Sequence, residues 1–122
     1  MHSHNDPTEQ KRIYDALPAE EITGKVADAL KQLGDPSRLR IFWLLCHTEE
    51  CVSDIAEIVG MSSPAVSHHL RLLKSAELIT SHREGKEMLY TAADTPLVEM
   101  MHHSIETLAE ITCPSYTNEP DD

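Results

Sequence analysis

Three groups of side chains in this 122-residue chain have types and spacings that can do chemistry. The first runs through Ser63, Ser67, His68, Arg71 and Lys74. Ser67, Arg71 and Lys74 stand at i, i+4 and i+7, which puts them on one helix face with His68 beside them. Hydroxyls, an imidazole and two cations, with no carboxylate among them, suit phosphate oxygens and base edges. Ser62 and Pro64 lie at the start of the same segment, and Arg83 and Lys86 flank Gly85 farther on. The second group is His102, His103, Glu106 and Glu110. His102/Glu106 and Glu106/Glu110 are i, i+4 pairs that share a helix face, and His103 is i, i+3 from Glu106. Imidazoles and carboxylates so spaced are a ligand set for a divalent metal, and in an antiparallel helix pair they would sit near a two-fold axis. The alternative is a set of polar residues flanking a dimer interface. The third group is Cys46, Cys51 and Cys113. Two of these thiols could meet and sense a persulfide, an oxidant or a thiophilic metal, or they are small buried hydrophobes.

Charge distribution supports the first group. The chain carries a formal net charge of −11. Between Gly60 and Lys86, however, four cations face two carboxylates, a local balance of +2, so the remainder carries −13. A basic segment in an acidic protein can bind DNA specifically while non-specific binding stays weak. Aromatic residues are 4% of the chain and glycines number 4, so the core must be aliphatic and the fold mostly helical. An odd cysteine count excludes full intramolecular pairing and fits a reducing compartment. No apolar run approaches the ~20 residues of a membrane span, and the polar start has no signal-peptide core, so a cytoplasmic protein is expected.

The elements that position these groups follow from punctuation and period. Residues 1–18 read as a flexible polar arm with a short helix near Lys11 to Leu17. Ile22, Val26, Ala29, Leu30 and Leu33 have helical spacing, with Gly34 expected at C′. Asp35-Pro36 is an N-cap followed by proline at the first helical position. The helix it opens is apolar nearly all round from Leu39 to Leu45, hence central, and should end near His47-Thr48. Cys51 or Ser53 caps a short helix with Ile55, Ala56, Ile58 and Val59 inward and Gly60 at its end. After the turn at Met61-Ser62, Ser63 caps the helix of the first group, and Val66, Leu70 and Leu73 face the core. Leu78-Ile79-Thr80 and Met88-Leu89-Tyr90 are two strands of a hairpin whose tip is basic. A last helix runs from about Thr95 to Thr112 with Asp94 as N-cap. Its stripe of Leu97, Val98, Met101, Ile105, Leu108 and Ile111 exceeds what a small domain needs for itself. Residues 114–122 form an acidic tail expected to be disordered. Helix, short turn, helix and basic hairpin make a winged helix-turn-helix, mainly α, spanning residues 19–113 and dimerising through its first and last helices.

Several stretches resemble the ArsR/SmtB family of bacterial metal-responsive repressors. They are Asp35-Pro36-Ser37-Arg38-Leu39-Arg40-Ile41, Cys51-Val52-Ser53-Asp54-Ile55-Ala56, and Ser62 to Lys74, with Arg83-Glu84-Gly85-Lys86 and Tyr90 in the wing. The resemblance implies a homodimer that represses transcription on an imperfect palindrome and is released by an inducer. It also implies a thiolate site at Cys51 and Asp54, completed from the N-terminal arm, where His2 and His4 are available. Such a Cys/His/Asp set suits Zn²⁺ or a softer divalent ion. The family's site on the last helix is broken here. Asp94 and Glu110 match its outer positions, but Pro96 and Thr107 replace its two histidines.

Two other classes are weighed against this. A winged-helix protein-interaction module would use Arg71 and Lys74 on an acidic partner. A thiol or persulfide sensor of the same fold would use the cysteines. An enzyme is disfavoured. Cys46-His47 are neighbours and so point about 100° apart on a helix, and no Gly-rich phosphate loop or nucleophile elbow occurs.

Overall fold

Capping side chains set most helix starts. In the computed structural model, which describes residues 6–111, Asp6 accepts from the Thr8 N–H (3.0 Å) and opens α1, Pro7–Asp15. This helix begins earlier than the Lys11 expected, because Pro7 at the first position is preorganised for it. Helix α2, Glu20–Gln32, ends on Leu33. Gly34 is not left-handed. Left-handed backbone among the described residues is confined to Gly60, Glu77, Gly85 and Glu110. The Gly34 N–H instead closes a tight last turn on the Lys31 carbonyl (3.0 Å).

Asp35 caps α3, Pro36–Leu45, by accepting from the Arg38 N–H (2.9 Å). That backbone hydrogen bond holds the Asp35 carboxyl below its ordinary pKa. Cys51 precedes α4, Val52–Val59, as N-cap without a side-chain cap bond. Gly60 ends this helix at φ 71°, and the Met61 N–H returns to the Ala56 carbonyl (3.0 Å). Ser62, not Ser63, caps α5, Ser63–Ser75, by accepting from the Ala65 N–H (3.3 Å). The Leu78 N–H bonds the Leu73 carbonyl and the Glu77 N–H bonds the Lys74 carbonyl. That pair is a Schellman end, with Glu77 at φ 61° where glycine is usual.

Strands β1, Ile79–Glu84, and β2, Glu87–Ala92, pair antiparallel from Ile79↔Ala92 to Glu84↔Glu87. The hairpin is longer than its apolar residues suggest because backbone pairing continues through Ser81 to Glu84. Gly85, at φ 65°, and Lys86 turn it, and glycine at the first central position suits a two-residue hairpin turn. Thr95, not Asp94, caps α6, Pro96–Ala109, by accepting from the Val98 N–H (3.2 Å). Thr95 directly precedes Pro96, the favoured first helical residue.

Helices α3, α4 and α5 surround a core of Ile41, Phe42, Leu45, Ile55, Val66 and Leu73. Leu78, Ile79, Val98 and Ala29 close it from the hairpin, α6 and α2. Ile58, expected inward, is exposed. The α4–turn–α5 unit and the hairpin form a winged helix-turn-helix. No helix of the described residues is long and apolar enough to cross a membrane.

Candidate nucleic-acid interface and metal site

The outward face of α5 is built by the same period that buries Val66, Leu70 and Leu73 on its inner side. Ser63, Pro64, Ser67, His68, Arg71 and Lys74 are all exposed, as is Ser62 at the cap. No carboxylate interrupts them. Lys74 Nζ donates to Ser81 Oγ of β1, so the hairpin is tied to the helix. Arg83 and Lys86 are exposed on the hairpin. Glu84 and Glu87 share that tip, and His82 lies between Glu49 (3.3 Å) and Glu84 (3.4 Å). The wing is therefore less basic than the helix face.

His69 turns away from that face. Its Nδ1 accepts from Arg38 Nε (3.2 Å), and Arg38 also donates to the Gln32 carbonyl (3.0 Å) and Gln32 Oε1 (3.1 Å). A ring nitrogen that accepts from a guanidinium carries no proton. Burial and then the Arg38 charge push the His69 pKa below its ordinary 6.5, outweighing Asp35 at 4.0 Å. The last turn of α2, the start of α3 and α5 are thereby joined.

The metal-ligand candidates are sorted differently from the sequence reading. Cys51 is buried with Sγ 3.3 Å from Ser53 Oγ, while Asp54 is exposed. His2, His4 and Cys113 lie outside the described residues. Cys46 is half-buried at the end of α3. On α6, His103 is exposed, and Glu110 is exposed in left-handed backbone just past the helix end. Neither joins His102 and Glu106. The helix stops at Ala109, so Glu110 leaves the i, i+4 row, and His103 points about 100° away from His102.

His102 and Glu106 do come together, and their third partner is His47, just past α3. Glu106 is only 6% exposed. Its Oε2 lies 2.8 Å from His102 Nε2 and 3.2 Å from His47 Nε2, and the two Nε2 atoms are 2.9 Å apart. Trp43 Nε1 donates to the same oxygen (3.0 Å). The His47 and His102 rings meet edge to face at 4.5 Å. Two ring nitrogens and a carboxylate oxygen, from α6 and the α3–α4 link, thus converge on one point inside the chain, not across a two-fold axis. Beside it, a cavity of about 250 Å³ is lined by Cys46, His102, Asp94 and Glu99 among others. A second cluster, Glu49, His82 and Glu84, is exposed at the surface. His47 was missed in sequence because it lies 55 residues from its partner. Its only local signal was adjacency to Cys46.

Comparison with known proteins agrees with this architecture. The family model described as "Bacterial regulatory protein, arsR family" matches residues 35–81. The HTH-type transcriptional repressor SmtB of Mycobacterium tuberculosis is 31% identical over 97 residues, 80% of this chain and 72% of that one. The transcriptional repressor SmtB homolog of Synechocystis is 36% identical over 86 residues, 70% of this chain and 65% of that one. Among solved structures, a homodimeric winged helix-turn-helix DNA-binding domain from Mycobacterium bovis superposes with TM-score 0.68 at 28% identity. That match covers 78% of this chain and 90% of the solved one.

Proposed function

This chain belongs to the arsR family of bacterial regulatory proteins, and from that premise we propose a homodimeric repressor that grips palindromic operator DNA and releases it on binding a divalent metal ion. The observation that carries the DNA half is the outward face of α5, where hydroxyls, imidazole and cations stand free of carboxylates. The N-terminal half of α5 enters the major groove, with Ser63, Ser67 and His68 toward base edges and phosphates. Arg71 pairs with phosphate or guanine, and Lys74 reaches the backbone from beside Ser81. Ser62 and Pro64 fix the angle of entry, and Arg83 and Lys86 meet the flanking backbone or minor groove.

The dimer reading rests on apolar side chains that the protomer leaves uncovered. Ile22, Val26 and Leu30 of α2 run i, i+4, i+8 at 59%, 38% and 51% exposure, and Leu108 of α6 is 85% exposed. A second copy covering this stripe sets the two α5 helices about one DNA turn apart, which is why the operator is palindromic. The similar domain from Mycobacterium bovis is itself homodimeric.

The reading is tested by selecting duplexes from a random DNA library and measuring salt dependence on the winner. Wild type should enrich an inverted repeat, with log K falling linearly against log salt. Adding Zn²⁺ to the metal-free protein should weaken that complex. Failure to enrich any sequence would overturn the DNA reading, and an affinity indifferent to every divalent ion tried would overturn metal release.

A further inference from the structure

We propose that His47, His102 and Glu106 ligate one divalent transition-metal ion within each protomer, and that this ion is the releasing signal; the second clause rests on the function proposed above. The argument begins with electron pairs. His47 Nε2, His102 Nε2 and Glu106 Oε2 each lie within 3.2 Å of the other two. Three such atoms converging beside a Glu106 side chain that is only 7% exposed suit a positive centre, which would replace whatever ring N–H bridges them in the metal-free protein. Two imidazoles and a carboxylate are a set that Zn²⁺ accepts with a fourth position left for water, and other first-row ions suit it as well. Trp43 supplies the outer support by donating to Glu106 Oε2 and limiting how the carboxylate can turn. Asp94 and Glu99, on the cavity that His102 also lines, give a cation an acidic way in.

The site lies where an ion can act on the DNA-reading unit. His47 lies in the short link between α3 and α4. Three residues on, Glu50 exchanges both backbone hydrogen bonds with Tyr90 of β2 (3.0 and 2.9 Å). The other two ligands are on α6, which carries part of the uncovered apolar surface. Ligand atoms around a four-coordinate ion with ~2.0–2.1 Å bonds stand roughly 3.4 Å apart. The present 2.8, 2.9 and 3.2 Å must therefore widen on binding. That spreads α6 from the α3–α4 link and moves the wing and recognition helix relative to the dimer helices.

The test uses Co²⁺ as an optical probe on the chelator-treated, reduced dimer. One Co²⁺ per protomer should bind with visible ligand-field bands and without the near-ultraviolet charge-transfer band of a thiolate ligand. His47→Ala, His102→Ala and Glu106→Gln should each weaken binding by more than about tenfold, since even outer partners are worth 10- to 100-fold. Cys51→Ser and His82→Ala should bind Co²⁺ as wild type does. A thiolate band, no bound Co²⁺, or wild-type affinity in the three variants overturns the site. Should a variant fail to fold, the wild-type spectrum decides alone. Operator affinity is read in the same samples. Bound Co²⁺ with these spectra and an unchanged operator affinity leaves the ligand set standing and overturns its role as the signal. Operator release that survives His102→Ala but not Cys51→Ser overturns this ion as the signal and keeps metal-responsive repression.

Discussion

Two helices of this protein each carry adjacent histidines, His68-His69 on α5 and His102-His103 on α6, and the two pairs are put to different uses. In both, one ring faces solvent and the other turns inward, as residues about 100° apart must on a helix packed on one side. The inward rings then meet opposite chemistry. His69 meets the Arg38 guanidinium, so its nitrogen is held unprotonated and a metal ion would be repelled. His102 meets a carboxylate and a second imidazole, a pocket that attracts a positive centre. The same dipeptide thus braces the reading helix in one place and builds a ligand set in the other. What decides is the residue contributed by α3, Arg38 near its start and His47 just past its end.

The largest expected effect comes from removing the proposed dimer, on which tight operator binding depends while the metal ligands lie within one protomer. Leu30→Glu or Leu108→Glu places a charge on exposed apolar surface, so the fold should survive while sedimentation shows monomers. Operator affinity should fall by roughly 10²- to 10⁴-fold as bivalent grip is lost. Ile105 is a poorer choice because it packs against the core. Next, Trp43→Phe removes the donor to Glu106 and should weaken Co²⁺ or Zn²⁺ by about 10- to 100-fold in a metal titration. On the α5 side, Arg71→Ala should weaken operator binding about tenfold and flatten the salt slope by roughly one, in metal-free and metal-loaded protein alike. Unchanged slope would remove Arg71 from the phosphate contacts.

Two smaller effects concern the bracing of α5. Glu77→Gly relieves left-handed backbone at its end and should stabilise the fold by about 1 kcal/mol in urea unfolding. The Lys25–Glu77 pair it removes is exposed at both ends and worth little. His69 has a folded pKa below 6.5. The stability it gives is therefore complete above pH 6.5 and is lost as pH falls through the folded value. His69→Gln should flatten the decline in stability below pH 6.5, and an unaltered decline would place the acid sensitivity elsewhere.

The outward face of α5 was legible in the sequence because its signals are local. Ser67, Arg71 and Lys74 share one helix, and their exposure follows from the burial of Val66, Leu70 and Leu73 between them. Caps were legible to within one residue. Ser62 or Ser63 and Asp94 or Thr95 are equally able to cap, and only backbone conformation separates them. The cluster of His47, His102 and Glu106 was half legible. The i, i+4 spacing of His102 and Glu106 marked a pair, but no spacing within one helix could indicate His47 on the distant α3–α4 link. Nor could it say that Glu110 falls beyond the helix end. His69 was hidden for the same reason, its partner Arg38 being 31 residues away.

The most direct test of the whole account is the reciprocal coupling between metal and operator in the wild-type dimer. Zn²⁺ affinity would be measured for the free dimer and for the operator complex, and operator affinity with and without saturating Zn²⁺. The account predicts that each ligand weakens the other by the same factor, roughly 30- to 150-fold for a coupling of ~2–3 kcal/mol, and that His102→Ala abolishes both effects. Equal Zn²⁺ affinity for the free dimer and the operator complex would contradict it.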